Sequence, residues 1–280
     1  MFNGGAMGAA EEVDEPRVSA RSELGLVRAV NEDSMLARFP LFVVADGMGG
    51  HSRGDVASRT AVETLDASIP ERVPITPSRV IDAVHAANRA IRSTPVEDGG
   101  ISGTTLSGVV AVRAGGRLHW LVVNVGDSRV YRWNGRSLTQ LTIDHSVVQE
   151  LVDAGEITPA AAEVHPERNT ITRALGAFDE VDVDAWLVSW TEAHTFLVCS
   201  DGVTKELGTA EIEQILAAHQ ESDGSVADAV VGAALRAGGR DNVTAIVVET
   251  SRVAEPADLV GTGTRDRSFD LDDTRPRSML

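Results

Sequence analysis

A single cysteine, Cys199, stands among 280 residues, which excludes an intramolecular disulfide. It lies inside the apolar run TFLVCSD, where a thiol is expected to be buried and inert rather than nucleophilic. No apolar run approaches the ~20 residues that a membrane-spanning helix needs. The opening stretch, MFNGGAMGAAEEVDEP, has neither the basic start nor the apolar core of a secretory signal, and a cytoplasmic protein is expected. Basic residues are few beside acidic ones: 25 Lys and Arg against 42 Asp and Glu give a formal net charge of −17. That balance argues against non-specific binding to nucleic acid or to an anionic membrane. Several motifs are absent too. There is no G-x-S-x-G elbow of a serine hydrolase. The glycine-rich GMGGHSRG lacks the G-K-[ST] ending of a nucleotide-binding loop. No Cys or His residues repeat at zinc spacing, and the calcium-loop pattern is missing.

What is present is core-forming. Apolar residues make up 42 % of the chain, enough for a sizeable interior. Residues 1–16 and about 252–280 are polar and charged, and are expected to stay disordered because they bury too little to offset the entropy of ordering. Residues 17–251 between them read as one domain. The clearest strands are LFVVA (41–45), TLSGVVAV (105–112), LHWLVVNV (118–125), TFLVCS (195–200) and TAIVVE (244–249), short runs rich in Val, Leu and Ile. In residues 130–142, Asn134-Gly135 separates two alternating segments, which predicts a type I′ hairpin turn. Helical periodicity comes in pairs, 54–68 with 77–92 and 209–219 with 225–237; Val80, Val84, Ala87 and Ile91 share one face. A weaker helix is expected at about 145–154, within a segment reaching to about 176. Strands set apart from helix pairs predict an α+β layered fold in which helices cover sheets.

Four aspartates carry the chemistry. Asp46 ends LFVVA, Asp127 follows LVVNVG, Asp201 follows FLVCS, and Asp241 precedes NVTAIVV. Each has a glycine within two residues: Gly47, Gly126, Gly202 and Gly239. One such pair is an ordinary turn; four beside strand ends are not. If the strands are neighbours the carboxylates converge, and they must then be protonated or held together by cations. The glycines favour cations, since they let a backbone carbonyl such as that of Gly47 come close. Most of the acidic excess fits a solvated surface, and a handful of aspartates fits a cation site. All-oxygen donors favour Mg²⁺, Mn²⁺ or Ca²⁺. Two such ions bridged by one aspartate would lie ~3.5–4 Å apart and could activate a shared water for phosphoryl hydrolysis.

Seven ordered motifs extend the pattern: SELGLVRAVNEDS (22–34), VVADGMGGHSRGDVAS (43–58), SGTTL (102–106), NVGDSRVYRWNGRSLTQLTIDHS (124–146), HPERNTITRALG (165–176), FLVCSDG (196–202) and GGRDNVT (238–244). Over about residues 19–250 the chain resembles the metal-dependent serine/threonine protein phosphatases of type 2C (PPM), in their bacterial form. The resemblance implies a four-layer αββα sandwich, two antiparallel β-sheets flanked by pairs of helices. It implies that Asp46 bridges two Mn²⁺ or Mg²⁺ ions, that the Gly47 carbonyl joins one, and that Asp201 and Asp241 complete the other. Asp127 would help hold a third ion with Asp201. Glu32 and Asp33 would hold metal-bound waters, and Arg28 would grip the substrate phosphate, as a planar guanidinium can.

The chain departs from that pattern in places. Met48 stands where many eukaryotic relatives carry a histidine proposed as general acid. Glu23 replaces a common aspartate, and Lys205, where an acidic or neutral residue is more usual, is expected to be exposed. His51 and His145 are read as loop or capping residues. Residues 145–176 resemble the family's flap beside the metal site, and Arg168 and Asn169 would contact the phosphopeptide or the flap's own base. The expected partners are phosphorylated proteins, namely Ser/Thr kinases and their substrates, met by a monomer. A non-catalytic phosphoprotein-binding module, and a phosphatase dedicated to one target such as an anti-sigma-factor antagonist, stand as the alternatives.

Overall fold

The computed structural model describes residues 15–49, 53–71, 74–94, 102–219 and 224–251. Residues 1–14 of the expected N-terminal tail, the expected C-terminal tail and His51 lie outside the described residues. Two antiparallel sheets face each other. The first runs β1 (Arg17–Glu23), β11 (Val243–Glu249), β10 (Thr195–Cys199), β7 (Arg129–Trp133) and β8 (Leu138–Gln140). The second runs β2 (Asp33–Arg38), β3 (Leu41–Met48), β5 (Leu106–Ala114), β6 (Arg117–Val125) and β9 (Asp184–Ser189), with the short β4 (Gly103–Thr104) on β3.

Side-chain alternation assigns the layers, because successive residues of a strand face opposite ways. In β3, Leu41, Val43 and Ala45 pack under α1 (Gly54–Ser68) and α2 (Pro77–Ser93), alongside Ala61, Leu65, Val80, Val84, Ala87 and Ile91. Phe42 and Val44 point the other way, into a core between the sheets with Trp120, Phe196, Val198 and Ile246. Leu197, Cys199, Ala245 and Val247 pack under α6 (Thr209–His219) and α7 (Val226–Ala237). The order is therefore helix pair, sheet, sheet, helix pair, the α+β sandwich that the sequence led us to expect. Cys199 is buried, as expected; burial pushes its thiol up to about 12.

Besides the two-residue β4, three strands escaped the sequence reading: β1, β2 and β9. All three are sheet edges. A central strand is buried on both faces and reads as a continuous apolar run, whereas an edge strand such as RVSARSE contributes only Val18 and Ala20 to the core. The turn at Asn134-Gly135 also differs from expectation. Gly135 has φ 89° but Asn134 is not in the left-handed region. The Asn134 side chain instead accepts hydrogen bonds from the N–H groups of Arg136 (3.0 Å) and Ser137 (2.9 Å), closing a four-residue loop as an Asx turn. The type I′ geometry belongs to Gly115-Gly116 between β5 and β6, where φ is 56° and 79°.

Candidate metal centre

The site lies at one end of the seam between the sheets. Asp46 continues the Phe42–Val44 face of β3, and Asp33 continues the Met35–Ala37 face of β2. The two are directly paired across the strands. Like charges in that position repel. From the opposite sheet, Asp201 opens the short helix α5 (Asp201–Thr204) just after β10, and Asp241 stands two residues before β11. Asp127 lies in the turn between β6 and β7. Asp33 ties the two sheets together: its Oδ2 accepts hydrogen bonds from Ser200 Oγ (2.8 Å) and Thr244 Oγ1 (2.7 Å).

The electrostatics follow from crowding. Burial, then the charges of Asp33, Asp201, Asp127 and Asp241, hold the Asp46 carboxyl well above its ordinary range. Burial pushes Asp33 up to about 7 against the bonds from Thr244 and Ser200, and pushes Asp127 to about 7 with Asp201 adding to it. Asp201 is raised by burial, with Lys205 pulling the other way. Asp241 is the exception. Burial would raise it, but the Arg28 hydrogen bond and the Lys205 charge outweigh that and leave it below the usual value. Glu32 is raised by burial, although Arg28 and the Gly54 backbone N–H oppose this.

A divalent cation fits this donor set. Every converging group is a hard oxygen, and two of those oxygens, Asp33 Oδ1 and Asp201 Oδ1, are buried with no hydrogen-bond partner. Orphaned carboxylate oxygens are costly unless something positive meets them. Among the described residues no three His, Cys, Asp or Glu side chains are arranged to hold a metal as they stand. Two side-chain cations meet the carboxylates instead. Lys205 pairs with Asp201 and, at 3.2 Å, with Asp241 Oδ2. Arg28 grips Asp241 in a fork, Nε to Oδ1 at 2.8 Å and Nη2 to Oδ2 at 2.9 Å.

A frame of small polar residues positions the acids. The Asp46 backbone N–H donates to Thr105 Oγ1 (2.9 Å), and its carbonyl accepts from the Thr105 N–H (2.9 Å) and Thr104 Oγ1 (3.0 Å). Thr105 and Ser128 share a hydroxyl contact at 2.7 Å, linking the SGTTL and GDSR motifs. Asn242 Oδ1 accepts from the Glu32 N–H, while its Nδ2 donates to the carbonyls of Leu24 and Val30. That bracket fixes the loop carrying Arg28. A methyl group on Gly47 would lie 2.2 Å from the Gly54 carbonyl oxygen and 2.5 Å from that of Glu32, so only glycine fits there.

The remaining candidates sort clearly. His145 is buried; its Nδ1 accepts from the Gly126 N–H at 3.0 Å, and its Nε2 faces Asp184 Oδ2 at 3.2 Å. It caps the turn that holds Asp127, a structural place like the one expected. Residues 145–176 carry α3 (Val147–Asp153) and α4 (Pro159–Ala162). Arg168 and Asn169 are exposed there, and Arg168 donates to the His165 carbonyl of its own turn rather than to the carboxylates. Sequence reasoning missed Ser200, Thr244, Thr104, Thr105 and Asn242. All five stand inside the quoted motifs, which was the only signal for them.

Comparison with known proteins agrees with this geometry. A family profile described as "Protein phosphatase 2C" matches residues 29–227. The chain is 35 % identical over 248 residues to the serine/threonine phosphatase stp of Listeria welshimeri, covering 85 % of this chain and 97 % of that protein. In three dimensions it is similar to the PPM Ser-Thr phosphatase MsPP of Mycobacterium smegmatis, solved with cacodylate (TM-score 0.75, 35 % identity, 84 % of this chain and 98 % of that one). It is also similar to the catalytic domain of the serine/threonine protein phosphatase PstP, solved with two manganese ions (TM-score 0.67, 35 % identity, 84 % and 97 % coverage). The convergent aspartates, the sandwich that carries them and the profile match agree: this chain belongs to the protein phosphatase 2C family of metal-dependent serine/threonine protein phosphatases.

Proposed function

We propose that this chain hydrolyses phosphoserine and phosphothreonine in cytoplasmic proteins and so reverses the action of bacterial Ser/Thr kinases. One observation carries the reading: carboxylates from both sheets meet in one cluster with buried, unpartnered oxygens. Asp46, the Gly47 carbonyl, Asp201 and Asp241 would hold two Mn²⁺ or Mg²⁺ ions, and Asp127 with Asp201 would serve a third. When bound, the ions supply positive charge at the phosphoryl oxygens and a water deprotonated near neutral pH. The protein's part is placement. Asp33 keeps the two sheets in register through Ser200 and Thr244 and leaves a buried, unpartnered Oδ1 at the cluster, and Glu32 flanks the cluster from the loop ahead of β2. Arg28, with 48 % of its side chain exposed, stands at the mouth and turns from Asp241 to the substrate phosphate. Leu26, Val27 and Val30 are exposed around it and offer an apolar surface to the residues flanking that phosphate. Arg168 and Asn169 on the flap lend polar contacts from a second side.

With Mn²⁺ present, the protein should hydrolyse p-nitrophenyl phosphate and a phosphothreonine peptide. Turnover that persists in EDTA would remove the mechanism. The intact aspartates speak against a degenerate binding module. Arg28→Ala raises KM for the phosphopeptide roughly 10–100-fold with a smaller change in kcat, because a charged hydrogen-bonded pair is worth about 1.5–3 kcal/mol; steady-state kinetics on the peptide check this. Gly47→Ala forces the β3 end away from Gly54 and Glu32. It costs about 1–3 kcal/mol of stability, and the displaced Asp46 lowers kcat by roughly 100-fold. Thermal melts and Mn²⁺-dependent turnover read both.

A further inference from the structure

Lys205 sits one helical turn after Asp201, at the C-terminal cap of α5, so the two side chains share a face. Its side chain is 35 % exposed, in keeping with the expectation, yet its ammonium is not idle. It donates to Asp201 Oδ2 and to Asp241 Oδ2 and so bridges two carboxylates, one just after β10 and one just before β11. Under the proposed function these are the carboxylates that would complete one metal position. We propose that the Lys205 ammonium competes with the divalent cation for Asp201 and Asp241 and thereby sets how tightly this chain holds metal.

This rests on the metal-binding reading of the carboxylates given above. Two positive charges a few ångströms apart in a crowded, half-buried site repel strongly, so the ammonium and a divalent ion do not share the same two oxygens. The divalent ion has an advantage that the ammonium lacks, because Asp201 Oδ1 is buried and free. Lys205 stands at the rim, where a flexible four-carbon stem can swing its head into water. The metal-competent arrangement is then a fraction of the whole, and the apparent affinity falls by that fraction. Arg28 also holds Asp241, but it contacts that one carboxylate only, whereas Lys205 joins both.

The test is Mn²⁺ titration by calorimetry, with thermal melts in EDTA and in Mn²⁺, on the full chain and on Lys205→Met, Lys205→Gln and Lys205→Arg. Lys205→Met and Lys205→Gln should bind Mn²⁺ about tenfold more tightly than the parent. They should melt lower in EDTA, where Asp201 and Asp241 lose their bridging cation, and gain a larger upward shift from Mn²⁺. Lys205→Arg, which keeps the charge, should stay near the parent. Unchanged or weaker Mn²⁺ binding in both neutral variants overturns the inference while leaving the metal centre standing. A parent protein that binds no Mn²⁺, or binds it equally well as Asp46→Ala, overturns the metal reading and this inference together.

Discussion

Asp46→Ala lowers the Mn²⁺-dependent turnover of p-nitrophenyl phosphate by about a thousandfold or more, and it raises the melting temperature measured in EDTA. The first effect follows from position. Asp46 is the carboxylate at the centre of the cluster, influenced by Asp33, Asp201, Asp127 and Asp241 together. Under the proposed function Asp46 would be a ligand to the cations, so its loss would remove several kcal/mol of charge stabilisation, and each ~1.4 kcal/mol is tenfold in rate. The second effect has the opposite sign from an ordinary core mutation. The backbone bonds of Asp46 to Thr104 and Thr105 survive in alanine, while a carboxylate that burial and four like charges oppose is gone. The parent should gain stability from Mn²⁺, about 2.7 kcal/mol at a hundred times the dissociation constant, and the variant should lose most of that gain. A variant with near-parent turnover, or a lower melting temperature in EDTA, contradicts the role given to Asp46.

The second large effect is on stability alone. Trp120→Ala destabilises the protein by about 3–5 kcal/mol, the usual cost of emptying a buried tryptophan site. Trp120 is fully buried at the middle of the inter-sheet core. It stacks on Trp190 with ring centroids 4.5 Å apart, and Phe196 (5.7 Å) and Phe42 (6.1 Å) tilt against it. No neighbour can fill that volume without moving a strand of one sheet. At 2–4 °C per kcal/mol for a domain of this size, the melting temperature falls by roughly 6–20 °C. Calorimetry or a circular-dichroism melt measures it. Turnover well below the melt should fall far less than in Asp46→Ala, because the carboxylates lie at the end of the seam. A shift of only a degree or two would mean that the two sheets do not depend on this contact.

Much of the layout was legible in the chain itself. Helices α1 and α6 fall where their periodicity put them, at 54–68 and 209–219, and α2 and α7 within a residue or so. The central strands announced themselves as runs of Val, Leu and Ile because both of their faces are buried. The edge strands β1, β2 and β9 did not, since half of each faces outward and their sequences mix polar with apolar residues. The turn at Asn134 failed as a type I′ turn for a local reason of another kind: an asparagine side chain can replace a backbone turn bond, and dipeptide identity does not say which it will do.

The amino-acid order by itself determined the oxygen-only donor set, its position beside strand ends and the pairing of apolar faces, because these depend on neighbours a few residues apart. Only the tertiary structure decided which acids share a space and what else reaches them. Asp33 meets Ser200 and Thr244 across 167 and 211 residues of chain, and Lys205 turns out to bridge two of the very carboxylates a metal would need. Such contacts arise from one sheet settling on another, and close packing between sheets is a property of the assembled whole that no local period encodes.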